Sequence, residues 1–254
     1  MNLTENPQKP GTILITGGSG GLGRALVSLL GDLNYKILNW DLVPPIHTHP
    51  NETFYRVDLT SLSDLDKACG ILKADFLSGP SPKEFPLNGF VHCAGYGGPY
   101  HKITEVSMEE WERIFAINLR SAFQITKSLL PVFAERKYGR LVYIASSLSV
   151  QGSALSVAYS SSKHGLVGFT KSIGAEWGEK GVTANAISPG YMETTMGIQE
   201  DQINDHRKKI IDMTPVGKIA DPSEIARVVA FLLSSESGYI NGANWTVDGG
   251  ITSI

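Results

Sequence analysis

Thr12-Ile13-Leu14-Ile15-Thr16-Gly17-Gly18-Ser19-Gly20-Gly21-Leu22-Gly23 is the stretch from which the rest of this chain is read. Residues 12–16 form a short apolar run of β-branched and aliphatic type, the signature of a strand buried on both faces. The glycines follow without a break, and an amphipathic run over 22–30 leads to Gly31, read as the helix C-cap. Strand, glycine turn and helix is the context in which a glycine loop cradles phosphate. Glycine lets backbone approach the anion, and the helix start supplies free N–H groups and a favourable dipole. The spacing is Thr-Gly-x-x-x-Gly-x-Gly rather than Gly-x-Gly-x-x-Gly, and taken alone it also suits an ordinary glycine-rich turn.

Outward from this unit, apolar strand candidates recur at 36–40, 53–57, 89–93, 140–145, 182–187 and 243–247, with helical segments between them. That alternation predicts an α/β fold, a doubly wound seven-stranded parallel sheet flanked by helices and closed by right-handed crossovers. Ser107-Met108-Glu109-Glu110 and Asp221-Pro222-Ser223-Glu224 read as capping boxes, the second with proline at the first helical position. Two proline-rich stretches, 43–51 and 78–88, read as surface loops, and the first leaves little room for a helix between the second and third strands. One domain over 1–254 is expected, with 1–10 as a flexible tail; no repeat or linker stands out.

A net charge of −3 gives no basic field, so neither nucleic acid nor an anionic membrane is implied. Cys69 and Cys93 are the two cysteines, and Cys93 sits in an apolar run as a small buried hydrophobe. With no leader-like segment and no apolar run long enough for a bilayer, a soluble cytoplasmic protein is expected. His47 and His49 lack an evident third ligand, so they read as loop residues and no metal is expected.

Tyr159 and Lys163, in Tyr-Ser-Ser-Ser-Lys, stack one turn apart on a helix. A phenol of pKa ~10 is protonated at neutral pH. An ammonium about 5 Å away, at an effective dielectric of ~20, favours the phenolate by ~3 kcal/mol. That is about two pKa units, enough to make a base usable near neutral pH.

The glycine spacing and the Tyr/Lys pair together resemble the short-chain dehydrogenase/reductase family, a likeness that runs over nearly the whole chain. Its other markers stand as Asp58-Leu59, Ala94-Gly95, Asn118, Ser146, Pro189-Gly190, Thr194 and Asp248-Gly249-Gly250. The resemblance implies a Rossmann-type fold and a nicotinamide dinucleotide. Its contacts would be Gly17, Ser19, Gly20, Gly21, Leu22 and Gly23 at the phosphates and Asp58 and Leu59 at the adenine. Ala94 and Gly95 would follow, with Pro189, Gly190 and Thr194 along the nicotinamide. Asp41, eighteen residues after Gly23, ends the second strand, where a carboxylate accepts from both ribose hydroxyls. It would face the extra phosphate of NADP, at a cost of about 4 kcal/mol for like charges ~4 Å apart at an effective dielectric of ~20. Gly20 and Leu42 stand where NADP-preferring relatives often carry Arg or Lys, so the expected cofactor is NAD.

The catalytic set implied is Asn118, Ser146, Tyr159 and Lys163. Tyr159 is the base, Lys163 tunes it and holds the nicotinamide ribose, Ser146 binds the substrate oxygen, and Asn118 interrupts a helix and anchors a water relay. Ser147 is the neighbouring alternative to Ser146. The sequence departs from the family in reading His92-Cys93 where Asn-Asn is usual, and His92 is taken as a structural substitute.

The implied reaction is hydride transfer interconverting a secondary alcohol and a ketone, in a homotetramer or homodimer built through helices around 118–136 and 158–178. Substrate walls are expected at 96–101, 147–153 and 191–213. The last contains a mobile helix over 199–213 whose His206-Arg207-Lys208-Lys209 attracts an anion or is a solvated face. Two alternatives stand beside this reading. One is a catalytically inactive nucleotide sensor on the same fold. The other is a dihydrodiol-type dehydrogenase yielding a catechol, suggested by the compact 41–58 crossover and the 214–220 segment.

Overall fold

The computed structural model describes residues 10–77, 85–193 and 203–253. All but Pro10 of the tail expected over 1–10, most of the 78–88 loop, Thr194 and the start of the 199–213 helix lie outside them. Seven strands form one wholly parallel sheet: β1 (Thr12–Thr16), β2 (Lys36–Asp41), β3 (Glu52–Arg56), β4 (Leu87–His92), β5 (Gly139–Ile144), β6 (Val182–Pro189) and β7 (Asn244–Val247). Their order is β3-β2-β1-β4-β5-β6-β7. The chain therefore winds outward from β1 in one direction and then from β4 in the other. The crevice between those two strands, at their C-terminal ends, is where such a sheet opens to a ligand.

Helices cover both faces. On one side α2 (Leu62–Leu77), α4 (Ser121–Arg136) and α5 (Val157–Trp177) pack Leu65, Ile125, Leu129, Phe133 and Leu166 against Leu14, Phe90, Leu141 and Ala184. On the other, α1 (Gly21–Asp32) and α7 (Pro222–Leu233) pack Leu26, Val27, Leu30, Val229 and Leu232 against Ile13, Ile15, Val91, Val142 and Ile187. Ile13 and Ile15 face one layer and Leu14 the other, which is why β1 reads as an unbroken apolar run rather than an alternating one. No helix among the described residues is long and apolar enough to cross a membrane.

Three local expectations are refined. Gly31 is not the C-cap: α1 runs on to Asp32, Leu33 caps it, and Asn34 takes the left-handed conformation at φ 64°. Gly31 is needed for a different reason, because a Cβ there would stand 2.4 Å from the His49 ring. His49 fastens the helix-free β2–β3 connection, its Nε2 3.3 Å from Asp32 and its Nδ1 accepting the Asn51 N–H at 3.0 Å. At α3 (Met108–Phe115), Ser107 accepts the Glu110 N–H at 3.1 Å, but the Glu110 carboxylate turns to His101 at 3.1 Å, leaving half a capping box. The Asp221 box is complete, with Pro222 at the first turn. The helix break expected at Asn118 is a π turn, Ala116–Arg120, joining α3 to α4.

Candidate active site

A cleft of about 1140 Å³ lies over the C-terminal ends of β1, β2, β4, β5 and β6. Its floor at one end is the glycine loop. Gly17 has φ 72°, and a Cβ there would stand 2.7 Å from the Ala94 backbone; at Gly23 it would stand 1.9 Å from the Gly17 carbonyl oxygen. Around Gly20, by contrast, nothing lies within 4 Å of a Cβ. Helix α1 starts at Gly20 without any side-chain cap, so the first-turn N–H groups of Gly21, Leu22 and Gly23 have no side chain to satisfy them. An uncapped helix start beneath a cradle that side chains would fill suits a pyrophosphate.

Asp41 closes β2 beside this loop. Its carboxylate accepts from the Ser19 N–H at 3.0 Å and from the Leu42 and Val43 N–H groups at 2.7 and 3.3 Å. Beneath it runs a network that the sequence reading missed. The Glu52 side chain is fully buried and accepts from Arg24 and from Asn39, both at 2.7 Å, while Asn39 also donates to the Ser19 hydroxyl at 3.1 Å. Arg24 also donates to the Gly18 and His47 carbonyls, at 3.2 and 2.7 Å. Its partner Glu52 lies 28 residues along the chain, so no local pattern marks the pair. Arg56, exposed and paired in register with Asp41 across β2–β3, is a second cation the sequence reading left out.

Asp58 and Leu59 line the cleft next to this edge. The Thr60 hydroxyl, 2.7 Å from Asp58, holds that carboxyl below its usual range, helped by the Thr60 N–H and by Arg56 and Arg113. Ala94 and Gly95 form the opposite lip, and Pro189 and Gly190 the far end of β6. Gly190 lies so close to Asp248 that a Cβ would meet its backbone at 2.9 Å, which ties the Asp-Gly-Gly segment to the cleft.

The four residues expected to carry chemistry converge deeper in. Ser146 follows β5 and caps a 3₁₀ turn, accepting the Leu148 N–H at 3.1 Å, and it lines the cleft together with Tyr159. Lys163, 2 % exposed, donates from Nζ to the Ile144 carbonyl at 2.7 Å and sits 5.7 Å from the Tyr159 ring centroid. Asn118 is fully buried; its Oδ1 accepts the Tyr96 N–H at 2.8 Å, and its Nδ2 donates to the Tyr96 carbonyl and the Ser162 hydroxyl at 3.1 and 2.9 Å. Ser162 in turn donates to the Tyr159 carbonyl at 2.7 Å. Ser147, the alternative to Ser146, is buried and does not line the cleft.

The electrostatics differ from the sequence expectation. Burial raises the Tyr159 pKa, the Ser146 hydrogen bond works against that, and nearby Tyr100 adds to it. Lys163 is itself pushed down to about 8 by burial. A buried ammonium held on the Ile144 carbonyl does not outweigh the desolvation of the phenolate. His92 is buried with its Nδ1 2.9 Å from the Thr16 hydroxyl and is neutral, its pKa pushed down to about 3 by burial and by Lys163. Cys69 and Cys93 are free thiols; Cys69 is buried, whereas Cys93, expected as a small buried hydrophobe, is half-buried because it lines the cleft. Among the described residues, no three His, Cys, Asp or Glu side chains come together as a metal site, and Arg207 of the basic run is paired with Glu193.

Comparison with known proteins agrees with this geometry. A family model described as "Enoyl-(Acyl carrier protein) reductase" matches residues 32–252. The acetoacetyl-CoA reductase of Shinella zoogloeoides is 34% identical over 248 residues, covering 93% of this chain and 96% of that protein. The 3-oxoacyl-[acyl-carrier-protein] reductase FabG of Vibrio cholerae is 31% identical over 252 residues, covering 95% and 97%. Among solved structures, a putative NAD(P)-dependent gluconate 5-dehydrogenase from Beutenbergia cavernae with bound NADP superposes with a TM-score of 0.86 at 27% identity, covering 98% and 100%. Matched over more than nine-tenths of its length by such relatives, the chain belongs to the short-chain dehydrogenase/reductase family of oxidoreductases, which work on hydroxyl and keto groups with a nicotinamide dinucleotide.

Proposed function

We propose that this protein is an NAD-dependent oxidoreductase interconverting a secondary alcohol and a ketone, with Tyr159, Ser146, Lys163 and Asn118 as its working set. The observation that carries the reading is the convergence of Ser146, Tyr159 and Lys163 on the wall of one cleft, with Lys163 Nζ 5.7 Å from the Tyr159 ring centroid and Asn118 bracing the same helix through Ser162. Bound there, the nicotinamide supplies or accepts the hydride. The protein's own part is protonic and electrostatic. Tyr159 gives a proton to the oxygen that forms during ketone reduction, or takes one from the alcohol in the reverse direction. Ser146 donates to the same oxygen as charge develops on it. The raised Tyr159 pKa keeps the phenol protonated at neutral pH, ready to donate to the oxygen formed on ketone reduction.

Gly17, Ser19, Gly20, Gly21, Leu22 and Gly23 would hold the phosphates, Asp58 and Leu59 the adenine, and Ala94, Gly95, Pro189, Gly190 and Thr194 the nicotinamide end. NAD rather than NADP is supported by the Asp41 carboxylate beside the loop and by the commitment of Arg24 to Glu52 and two carbonyls. At the cleft edge, solvent and salt reduce the like-charge penalty below the ~4 kcal/mol of an unscreened pair at effective dielectric ~20. Arg56 is the group that works against the preference.

A small-molecule substrate is proposed. The two reductases above act, by their names, on acetoacetyl-CoA and 3-oxoacyl carrier protein, so β-keto thioesters head the panel to be tried, followed by sugar acids, cyclic diols and simple secondary alcohols. Assembly through α4 and α5 into a dimer or tetramer is supported by Phe123, half exposed beside an apolar hollow lined by Phe115, Leu119 and Phe169. The two free thiols suit the cytoplasm.

The test follows nicotinamide absorbance with NAD(H) and NADP(H) across that panel, with Tyr159→Phe as control. Turnover that collapses in the variant supports the set, and a preference for NADP(H) that survives Arg56→Ala overturns the role given to Asp41. Turnover undiminished in Tyr159→Phe would remove the reading altogether.

A further inference from the structure

Asn39 is out of place by its chemistry. It stands inside β2, fully buried, in register with Ile15 on one side and Phe54 on the other. A buried amide in such a strand is costly unless its hydrogen bonds are made. The Glu52 side chain, with none of its surface exposed, is as unexpected at the start of the edge strand β3. Each accounts for the other. Glu52 Oε1 accepts from Asn39 Nδ2 and from Arg24 Nη1, both at 2.7 Å, while Oε2 accepts the His49 N–H at 3.0 Å.

The orientation of the Asn39 amide follows. An ionised carboxylate accepts only, so the group facing Glu52 is the amide nitrogen. Its second hydrogen goes to the Ser19 hydroxyl at 3.1 Å. Oδ1 is thereby turned to Gly18, where it has no hydrogen-bond partner and where a Cβ would stand 2.4 Å away. The amide therefore meets two consecutive residues of the glycine loop, Gly18 by packing and Ser19 by a hydrogen bond. Arg24 adds a third hold, donating to the Gly18 carbonyl at 3.2 Å. From Ser19 the connection continues to the cleft, because the Ser19 N–H donates to Asp41 Oδ2 at 3.0 Å.

We infer that Asn39 is a positioning residue for the dinucleotide, with Glu52 as the anchor that orients it. Glu52 fixes the amide, the amide fixes Ser19, and Ser19 fixes the carboxylate that would read the ribose. Asp41 is half-buried, and its other oxygen takes hydrogen bonds from Leu42 and Val43, in its own turn. The Ser19 N–H is what ties it to the glycine loop. A carboxylate held in one place is preorganised to accept from the ribose hydroxyls and to oppose the extra phosphate of NADPH. Released from the loop, it does both less well. The inference deepens the NAD reading proposed above and rests on it for the direction of the effect, though not for the link itself.

Dinucleotide binding tests this without any substrate. NADH and NADPH are titrated by nicotinamide fluorescence into the wild type and into Asn39→Leu, which keeps the branching at Cγ and removes both donors. The readout is the ratio of the NADPH to the NADH dissociation constant, since a merely structural lesion weakens both alike. It is expected to fall at least about fivefold, the scale of one ordinary hydrogen bond. A ratio within about twofold of wild type, in a protein with native circular dichroism, overturns the inference. Ser19→Ala cuts the same link from the loop side. Because a link can be cut only once, the Asn39→Leu/Ser19→Ala protein should match Ser19→Ala within about twofold, and effects that multiply overturn the route through Ser19. Should Asn39→Leu fail to fold, Glu52→Gln, with one acceptor oxygen for three donors, takes its place with the same two readouts. A wild-type ratio below one would remove the NAD reading, and the link would still stand or fall on whether the Asn39 and Ser19 effects multiply.

Discussion

Replacing Lys163 with methionine separates the cost of burying its charge from everything else the residue does. Folding lowers its pKa from 10.5 to about 8. A shift of roughly 2.5 units corresponds to about 3 kcal/mol. The folded protein releases this proton before the unfolded chain does. Between about pH 8 and about pH 10.5 the unfolded state therefore holds more protons, and this group's contribution to stability rises with pH. Below that window both states are charged and the whole penalty is present. Methionine has similar volume and no charge, but it orphans the Ile144 carbonyl that Nζ serves at 2.7 Å, which costs about 1–2 kcal/mol.

At about pH 7 the Lys163→Met protein is thus expected to be about 1–2 kcal/mol more stable than the parent, and inactive. Raising the pH to about 10 should erase and then reverse the difference, moving it by about 2–3 kcal/mol in favour of the parent. Urea unfolding of both proteins at both pH values measures this double difference, in which the tyrosines and cysteines that also titrate cancel. A double difference below about 1 kcal/mol would refute the reasoning, since the ammonium would then carry no burial cost of the size its pKa shift requires.

Gly23→Ala should abolish cofactor binding, because its Cβ would stand 1.9 Å from the Gly17 carbonyl oxygen and the loop backbone must move. Gly20→Ala, with nothing within 4 Å, should leave the melting temperature nearly unchanged, and NADH fluorescence titration with thermal melts distinguishes the two. Thr126→Val removes the 2.8 Å partner of the buried Tyr143 hydroxyl and should cost about 1–3 kcal/mol in urea unfolding; a cost near zero would mean the hydroxyl finds another partner. Cys93 lines the cleft, but burial pushes its pKa up to about 12. At about pH 8 it should be alkylated by iodoacetamide on the order of a thousandfold more slowly than an ordinary thiol, as followed by mass spectrometry, and rapid labelling would contradict the raised pKa.

Much of this protein is written locally. All seven strands fall within two residues of their sequence positions, because a parallel sheet covered on both faces needs continuous apolar runs that stand out from the helices between them. The glycine loop is equally local: Gly17 and Gly23 are demanded by contacts within the loop and with Ala94. The helix break at Asn118 was expected from the family resemblance, and it takes the form of a π turn. Misreadings arose where a residue's reason lay far along the chain. Gly31 looked like a cap and is in fact the seat of the His49 ring, while Glu110 looked like half of a capping box and answers His101 instead.

The sequence by itself determined the positions of the strands and singled out the glycine loop and the Tyr159/Lys163 pair, since periodicity and spacing are properties of short segments, while Ser146 and Asn118 were named by the family resemblance. Only the tertiary structure decided their electrostatics. Spacing on a helix predicted an ammonium lowering a phenol's pKa, whereas the folded cleft raises it, depresses Lys163 and holds His92 neutral. It also joined Glu52, Arg24 and Asn39 beneath the loop. Desolvation depends on every atom packed around a group, whichever part of the chain supplies it, and that sum exists only once the chain has folded.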